Sequence, residues 1–286
     1  MPLRIACVSI PQLVAYPPAS HKRPVPADLF DPKLRAIRRD RAYRQGVELF
    51  LYERAFADCL ERIELVRRRF RSCLLVGCPD REWPERLRPA AERIDAIDPG
   101  ALFARAGGAL QVDETDFTSA VGRYDLCVAI GTLDTVSDLP RALLAIRRAL
   151  APGSLFIGAL SGGETLPQLR SAMRAADTVQ GSAAPHVHPR IEASALAPLL
   201  TAAGFVNPVV DVDRVPVSYS SLSNLVGDLR RMGATNILVQ RSHRPLGRAA
   251  RQAALDAFAG AGDGNRTIET FELLHFAAWT PPAGEG

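Results

Sequence analysis

Lysine is almost missing from this 286-residue chain: Lys22 and Lys33 are the only two among 35 basic residues. Against 31 acidic residues the formal net charge is +4, carried almost wholly by arginine. So mild an excess, with no aromatic-interleaved basic sheet or recognition-helix pattern, excludes nucleic acid as a partner. No apolar run approaches the roughly 18–20 residues that cross a bilayer. The best, Leu155-Phe156-Ile157-Gly158-Ala159-Leu160, is strand-sized, so the chain is not expected to span a membrane. Cysteine is sparse and scattered: Cys7, Cys59, Cys73, Cys78 and Cys127 are odd in number and form no CxxC pair. That argues against a disulfide framework or a zinc motif, and fits buried thiols in a reducing, cytoplasmic compartment. Acid is missing from the start: residues 1–28 hold six of the 22 prolines and no carboxylate before Asp28. Pro11, Pro17 and Pro18 argue against the amphipathic helix of a transit peptide, and the segment is read as a flexible extension.

What remains is ordinary globular material, 47% apolar and 23% charged, enough for a core that needs no metal or disulfide. The densest basic clusters, Arg35, Arg38, Arg39, Arg41 and Arg44, then Arg67, Arg68, Arg69 and Arg71, read as solvated helix faces. An acidic partner or anionic surface is the alternative.

From Ala55 to Phe70 apolar residues recur at three- and four-residue steps, the mark of an amphipathic helix. Cys73–Cys78 is a short continuous apolar run ending in glycine, which suits a strand buried on both faces. Strand-like runs follow at Ile94–Ile97, Ala109–Val112, Asp125–Ile130 and Ser154–Leu160. A helical pattern fills Leu139–Leu150, with Pro152-Gly153 read as its stop. Strands alternating with helices predict an α/β fold with a parallel sheet and right-handed crossovers. Ligands bind such sheets beyond the carboxyl ends of the strands. The last third is helix-rich, with patterns at Leu166–Val179, Ala193–Ala203, Leu222–Met232 and Arg248–Phe258. Its strands are Val209–Val212 and Thr267–Ala278, the latter expected to add to the sheet as a terminal strand.

The candidate site is the loop after the first strand, Gly77-Cys78-Pro79-Asp80-Arg81. A strand–glycine–loop–helix unit brings backbone N–H groups to a nucleotide, but one glycine, a proline and an arginine make a poor example. Asp98, roughly 20 residues on, stands where a doubly wound sheet places a ribose-binding acid; Asp98-Pro99-Gly100 serves equally as turn chemistry. Asp113-Glu114 reads as a pair of exposed loop acids. The segment Gly131–Asp138 contains Asp134, a candidate base or substrate-orienting group. Pro185-His186-Val187-His188-Pro189 is expected to be extended, with both imidazoles on one side, although no partner motif supports a metal there. Glu164 and Thr165 are expected to open a helix near its positive end.

Taken together, Tyr124-Asp125-Leu126-Cys127-Val128 and Val136-Ser137-Asp138-Leu139-Pro140-Arg141-Ala142-Leu143 resemble class I S-adenosylmethionine-dependent methyltransferases. Gly162-Gly163-Glu164-Thr165-Leu166, Val210-Asp211-Val212-Asp213-Arg214 and Asp228–Asn236 are similar to the branch of the mitochondrial complex I assembly factor and its BioC-like alphaproteobacterial relatives. Leu29-Phe30-Asp31-Pro32 and Arg38–Ala42 match the start of that branch. The resemblance implies a doubly wound, mostly parallel seven-stranded Rossmann-like sheet with added helices in the C-terminal third. It implies a methyltransferase-like domain over 29–281, a helical subregion at about 164–262, and a tail at 282–286. It implies S-adenosylmethionine as cofactor, held by Gly77, Asp98 and Asp113; from the residues themselves Gly131 is a further cofactor-binding candidate, Asp134 is the catalytic candidate, and no metal is expected.

The match is uneven. Of the family's D-x-G-x-G-x-G loop only Gly77 survives; Leu75 stands at the acid, and Pro79 and Arg81 at the next two glycines. Asp134-Thr135 replaces a usual His-Trp pair. Each polar ligand group left unpaired costs on the order of 1–3 kcal/mol. Methyl transfer to a small-molecule or protein acceptor is therefore the first expectation. A non-catalytic assembly factor or chaperone for a respiratory-complex subunit is the second, and a protein side-chain hydroxylase the third.

Overall fold

The computed structural model describes residues 28–284; all but the last residue of the expected N-terminal extension, 1–28, lies outside them. Two helices open the fold, α1 (Pro32–Gln45) and α2 (Phe50–Leu65). The alternating part follows as β1 (Phe70–Val76), α3 (Trp83–Leu87), β2 (Ala91–Asp98), α4 (Ala101–Gly107), β3 (Leu110–Gln111), β4 (Tyr124–Ile130), α5 (Leu139–Ala149) and β5 (Leu150–Ser161). The last third comprises α6 (Pro167–Gln180), α7 (Ala193–Ala202), β6 (Val206–Tyr219), α8 (Leu222–Arg231), α9 (Arg248–Gly260) and β7 (Thr267–Trp279).

One seven-stranded sheet runs β3-β2-β1-β4-β5-β7-β6. The pairs from β3 through β5 are parallel, and β7 is inserted antiparallel between β5 and β6. The continuous apolar runs are the central strands: every residue of β4 is buried, as are the last five of β1. Helices cover both faces. Ala142, Leu143 and Ile146 of α5 share one core with Phe156 and Phe276. Phe56, Cys59 and Ile63 of α2 share the other with Leu75, Leu126 and Val128. A third cluster joins α6, α8 and α9 to Leu51 and Phe271 as a helical cap. The four described cysteines, Cys59, Cys73, Cys78 and Cys127, are buried and unbridged. No described helix is long and apolar enough to cross a membrane.

Several local expectations change. Pro152-Gly153 lies inside β5 rather than stopping α5, which ends at Ala149. β6 runs to Tyr219 as an edge strand in which burial alternates, and such a strand tolerates Pro216. The amide end of α6 receives Glu269 from β7, not Glu164: its carboxylate accepts from Leu169 N at 2.8 Å and Gln168 N at 3.2 Å. Nor do the two histidines of 185–189 act together. His186 pairs with Asp177 at 2.8 Å, while buried His188 accepts from Ile237 N at 3.0 Å.

α1 departs furthest from expectation. Asp31 caps it by accepting from Leu34 N at 2.9 Å, and Pro32 occupies its first turn. Its buried positions are Arg35, Arg39 and Ala42, spaced i, i+4, i+7 as on any inward helix face. Two of the arginines read as solvated are therefore interior. The helix lies against α4 and α8, and Phe30, just before it, packs with Ile237 and Leu238.

Candidate functional site

β1 and β4 are neighbours whose connections leave in opposite directions, so a crevice opens between their carboxyl ends. Gly77 ends β1 with φ +85°, and a Cβ there would collide with the Ile130 carbonyl oxygen. Only glycine meets both demands. Gly131 ends β4 with φ +74°, and a Cβ would stand 2.7 Å from the Tyr52 ring. Asp98 ends β2 and is wholly buried. Asp113 and Glu114 follow β3. The crevice thus gathers the four expected cofactor residues, Gly77, Asp98, Asp113 and Gly131, along one edge.

Sequence reasoning missed what fills it. Arg39 lays its fork on Asp98, with Nε donating to Oδ1 at 2.9 Å and Nη2 to Oδ2, and Nη1 reaches the Gly131 carbonyl at 3.3 Å. The guanidinium also covers the Phe103 ring at 4.9 Å. Asp98 accepts two more bonds, from Cys78 N at 3.0 Å and Gly100 N at 2.8 Å. The turn reading of Asp98-Pro99-Gly100 is realised in the bond from Gly100 N, and the oxygens that the ribose reading would use are taken by Arg39. Burial pulls the Arg39 pKa down, but the charge and hydrogen bonds of Asp98 outweigh it and hold the guanidinium above its usual range.

Arg35 spends all five N–H groups beside it. They go to Thr135 Oγ1 at 3.0 Å, Asp113 Oδ2 at 2.9 Å, Glu114 Oε2 at 2.7 Å, Glu114 Oε1 at 3.0 Å and Thr132 O at 2.7 Å. Asp113-Glu114 is thus no exposed pair: Glu114 is buried. Desolvation works against the Asp113 charge, yet Thr115 and Arg35 together hold its pKa below the ordinary carboxylate range.

Arg81 is exposed, and Trp83 is buried beneath the loop, stacked on Phe56 at 4.2 Å with Nε1 donating to Glu53 at 2.5 Å. Leu75, at the family's acid position, is core.

Beyond Gly131 lies a cavity of about 50 Å³ lined by Tyr52, Asp134, Ser161, Arg190 and Met232 among others. Tyr52 donates to the Met232 carbonyl at 3.1 Å, and its pKa is pushed up to about 12, chiefly by burial. Asp134 faces this cavity paired to Arg190, so it serves as a base only by leaving that guanidinium. Arg190 keeps a buried Nε–H with no protein partner and also lines a larger apolar cavity of about 200 Å³ under α6 and α8. Among the described residues no group of three or more His, Cys, Asp or Glu side chains is placed to hold a metal.

A family model described as a methyltransferase domain matches residues 42–208. The mouse mitochondrial arginine-hydroxylase NDUFAF5 is 30% identical over 92% of this chain and 80% of its own length. The malonyl-[acyl-carrier protein] O-methyltransferase of Xylella fastidiosa is 36% identical over 68% of this chain and 62% of its own. Among solved structures, the YcgJ protein of Bacillus subtilis superposes with TM-score 0.54 at 11% identity, covering 78% of this chain and 97% of that one. A Bacillus halodurans protein provisionally described as a methyltransferase gives 0.53 at 11% identity, over 78% and 98%. The two structures share the fold; the two sequences share the family.

Proposed function

The chain belongs to the methyltransferase family, and from that premise we propose that it is an S-adenosylmethionine-dependent methyltransferase acting on a small-molecule or protein acceptor. One observation carries the reading: left-handed Gly77, buried Asp98 and left-handed Gly131 stand together at the carboxyl edge of β1, β2 and β4. With Arg39 in place Asp98 has no acceptor position left. With Arg39 withdrawn, the residues fit the cofactor: the Asp98 oxygens that Arg39 held accept ribose hydroxyls and Asp113 stands on the adenine side, while Gly77 and Gly131 let the crevice edge close on Ile130 and Tyr52. When bound, the cofactor supplies the electrophilic methyl group. The chain's own contribution is positioning and exclusion of water rather than proton transfer. Tyr52, Met232 and Phe271 wall the acceptor side, and Arg190 offers an N–H there. A carboxylate acceptor, such as the malonyl group named for the Xylella relative, is the first to test.

Calorimetric titration with S-adenosylhomocysteine, followed by transfer of labelled methyl to a malonyl thioester, tests the proposal. Heat of binding at millimolar ligand, from the wild type or from a chain with Arg39 replaced, supports it, and its absence from both refutes it. The pairing of Asp98 with Arg39, together with Leu75, Pro79 and Arg81, favours a second reading: a methyltransferase scaffold serving assembly of a respiratory-complex subunit. Recovery of that subunit by the full chain, with no cofactor bound, is its signature.

A further inference from the structure

We propose that Arg39 and Arg35 form an internal lock on the cofactor crevice, so that α1 and the nucleoside part of the cofactor compete for one set of carboxylates. The inference rests on the reading above and specifies which residues govern cofactor access. Asp98 has four acceptor positions and all are taken. Two belong to backbone amides of the crevice wall, Cys78 and Gly100, which no ligand need displace. The other two belong to the Arg39 fork. A guanidinium presents two parallel donors to a carboxylate, the same number as the vicinal hydroxyls of a ribose. Occupant and ligand are thus interchangeable at Asp98 and cannot be present together.

Arg35 repeats the arrangement one strand over. It takes both Glu114 oxygens and one of Asp113, and its bond to the Thr132 carbonyl reaches the rim of β4. Both arginines stand on one face of one helix, four residues apart, so they enter or leave as a unit. Bonds at either end hold that helix down. Asp31 N donates to the Ile237 carbonyl at 2.9 Å before it, and Glu48 N to the Arg231 carbonyl at 3.2 Å after it. Leu102 N also donates to Asp40 Oδ1 at 2.8 Å, tying the middle turn to α4, and that bond breaks when the arginines withdraw.

Charge favours the closed state: two buried cations meet Asp98, Asp113 and Glu114, and withdrawing either strands a buried carboxylate. Apparent affinity falls by the fraction of molecules that are open. A crevice open in about one molecule in ten lowers the apparent affinity about tenfold.

Two measurements on the full-length chain test this. S-adenosylhomocysteine is titrated calorimetrically into wild type and Arg39→Gln, a variant that keeps one donor for Asp98 and gives up the fork. Hydrogen exchange of wild-type α1 amides is followed with and without millimolar S-adenosylhomocysteine, which needs no variant to fold. The lock predicts at least tenfold tighter binding by Arg39→Gln and faster exchange across Arg35–Ala42 when ligand is added. Equal affinity, or ligand binding that leaves α1 exchange unchanged, overturns the lock and leaves the methyltransferase reading standing. Binding by neither protein, with both folded by circular dichroism, overturns both.

Discussion

Replacing Arg35 by alanine probes the structural basis of this account without touching Asp98. Arg35 is buried, as is Glu114, and its five N–H groups all have acceptors. Truncation leaves Glu114 without its fork and uncovers the Thr132 carbonyl. Removing one partner of a buried ion pair costs about 3–5 kcal/mol. Domain stabilities are of order 5–15 kcal/mol, so the loss is a large part of the total. At roughly 2–4 °C per kcal/mol for a chain of this size, the melting temperature should drop by about 6–20 °C. Differential scanning fluorimetry reads the shift and urea unfolding gives the free energy. Arg88→Ala is the control, because Arg88 pairs with Glu85 in the open and its loss should leave the melting temperature unchanged. If Arg35→Ala behaves like Arg88→Ala, the arginines of α1 are solvated and no lock exists.

Other consequences follow from the same geometry. Gly77→Ala forces a side chain into a left-handed position against the Ile130 carbonyl; a loss of about 2–3 kcal/mol in urea unfolding is expected, and a neutral result would contradict the described loop. His188 is buried, and its pKa is lowered to about 3 by burial first, then by Arg190 and Arg170. Between that value and the free-histidine range near 6.5 the unfolded chain binds the extra proton, so stability rises with pH across this window and falls on acidification. His188→Gln should flatten the slope between pH 5 and 7, and an unchanged slope would assign the acid sensitivity elsewhere. Glu269→Ala removes the acceptor for the first amides of α6 and should cost about 1–3 kcal/mol, seen as faster hydrogen exchange at Gln168 and Leu169; unchanged exchange would refute that capping role.

Much of the frame was legible in the sequence. Continuous apolar runs such as Asp125–Ile130 mark strands buried on both faces, because burial on two sides leaves no polar alternation to confuse the period. The four cofactor candidates share one crevice because each closes a strand, and strand ends in such a sheet are coplanar. β6 was cut short because Arg214 and Pro216 break the apolar pattern, while an edge strand needs neither inward apolarity nor every N–H. The occupation of the crevice was not legible. Arginine in a local window reads as solvent-facing, and the carboxylates that draw Arg35 and Arg39 inward lie 59 to 79 residues away. The spacing Arg35–Arg39–Ala42 carried the one available signal, a helical stripe pointing at the protein rather than away from it.

The most direct test of the central claim is a crystal structure of the full chain soaked in S-adenosylhomocysteine. The account predicts the nucleoside between Gly77, Asp98 and Gly131, its ribose hydroxyls on the Asp98 oxygens, and Arg39 swung out with the middle of α1. Saturating ligand that leaves the Arg39–Asp98 pair intact, with no nucleoside at the carboxyl edge of β1 and β4, would contradict it.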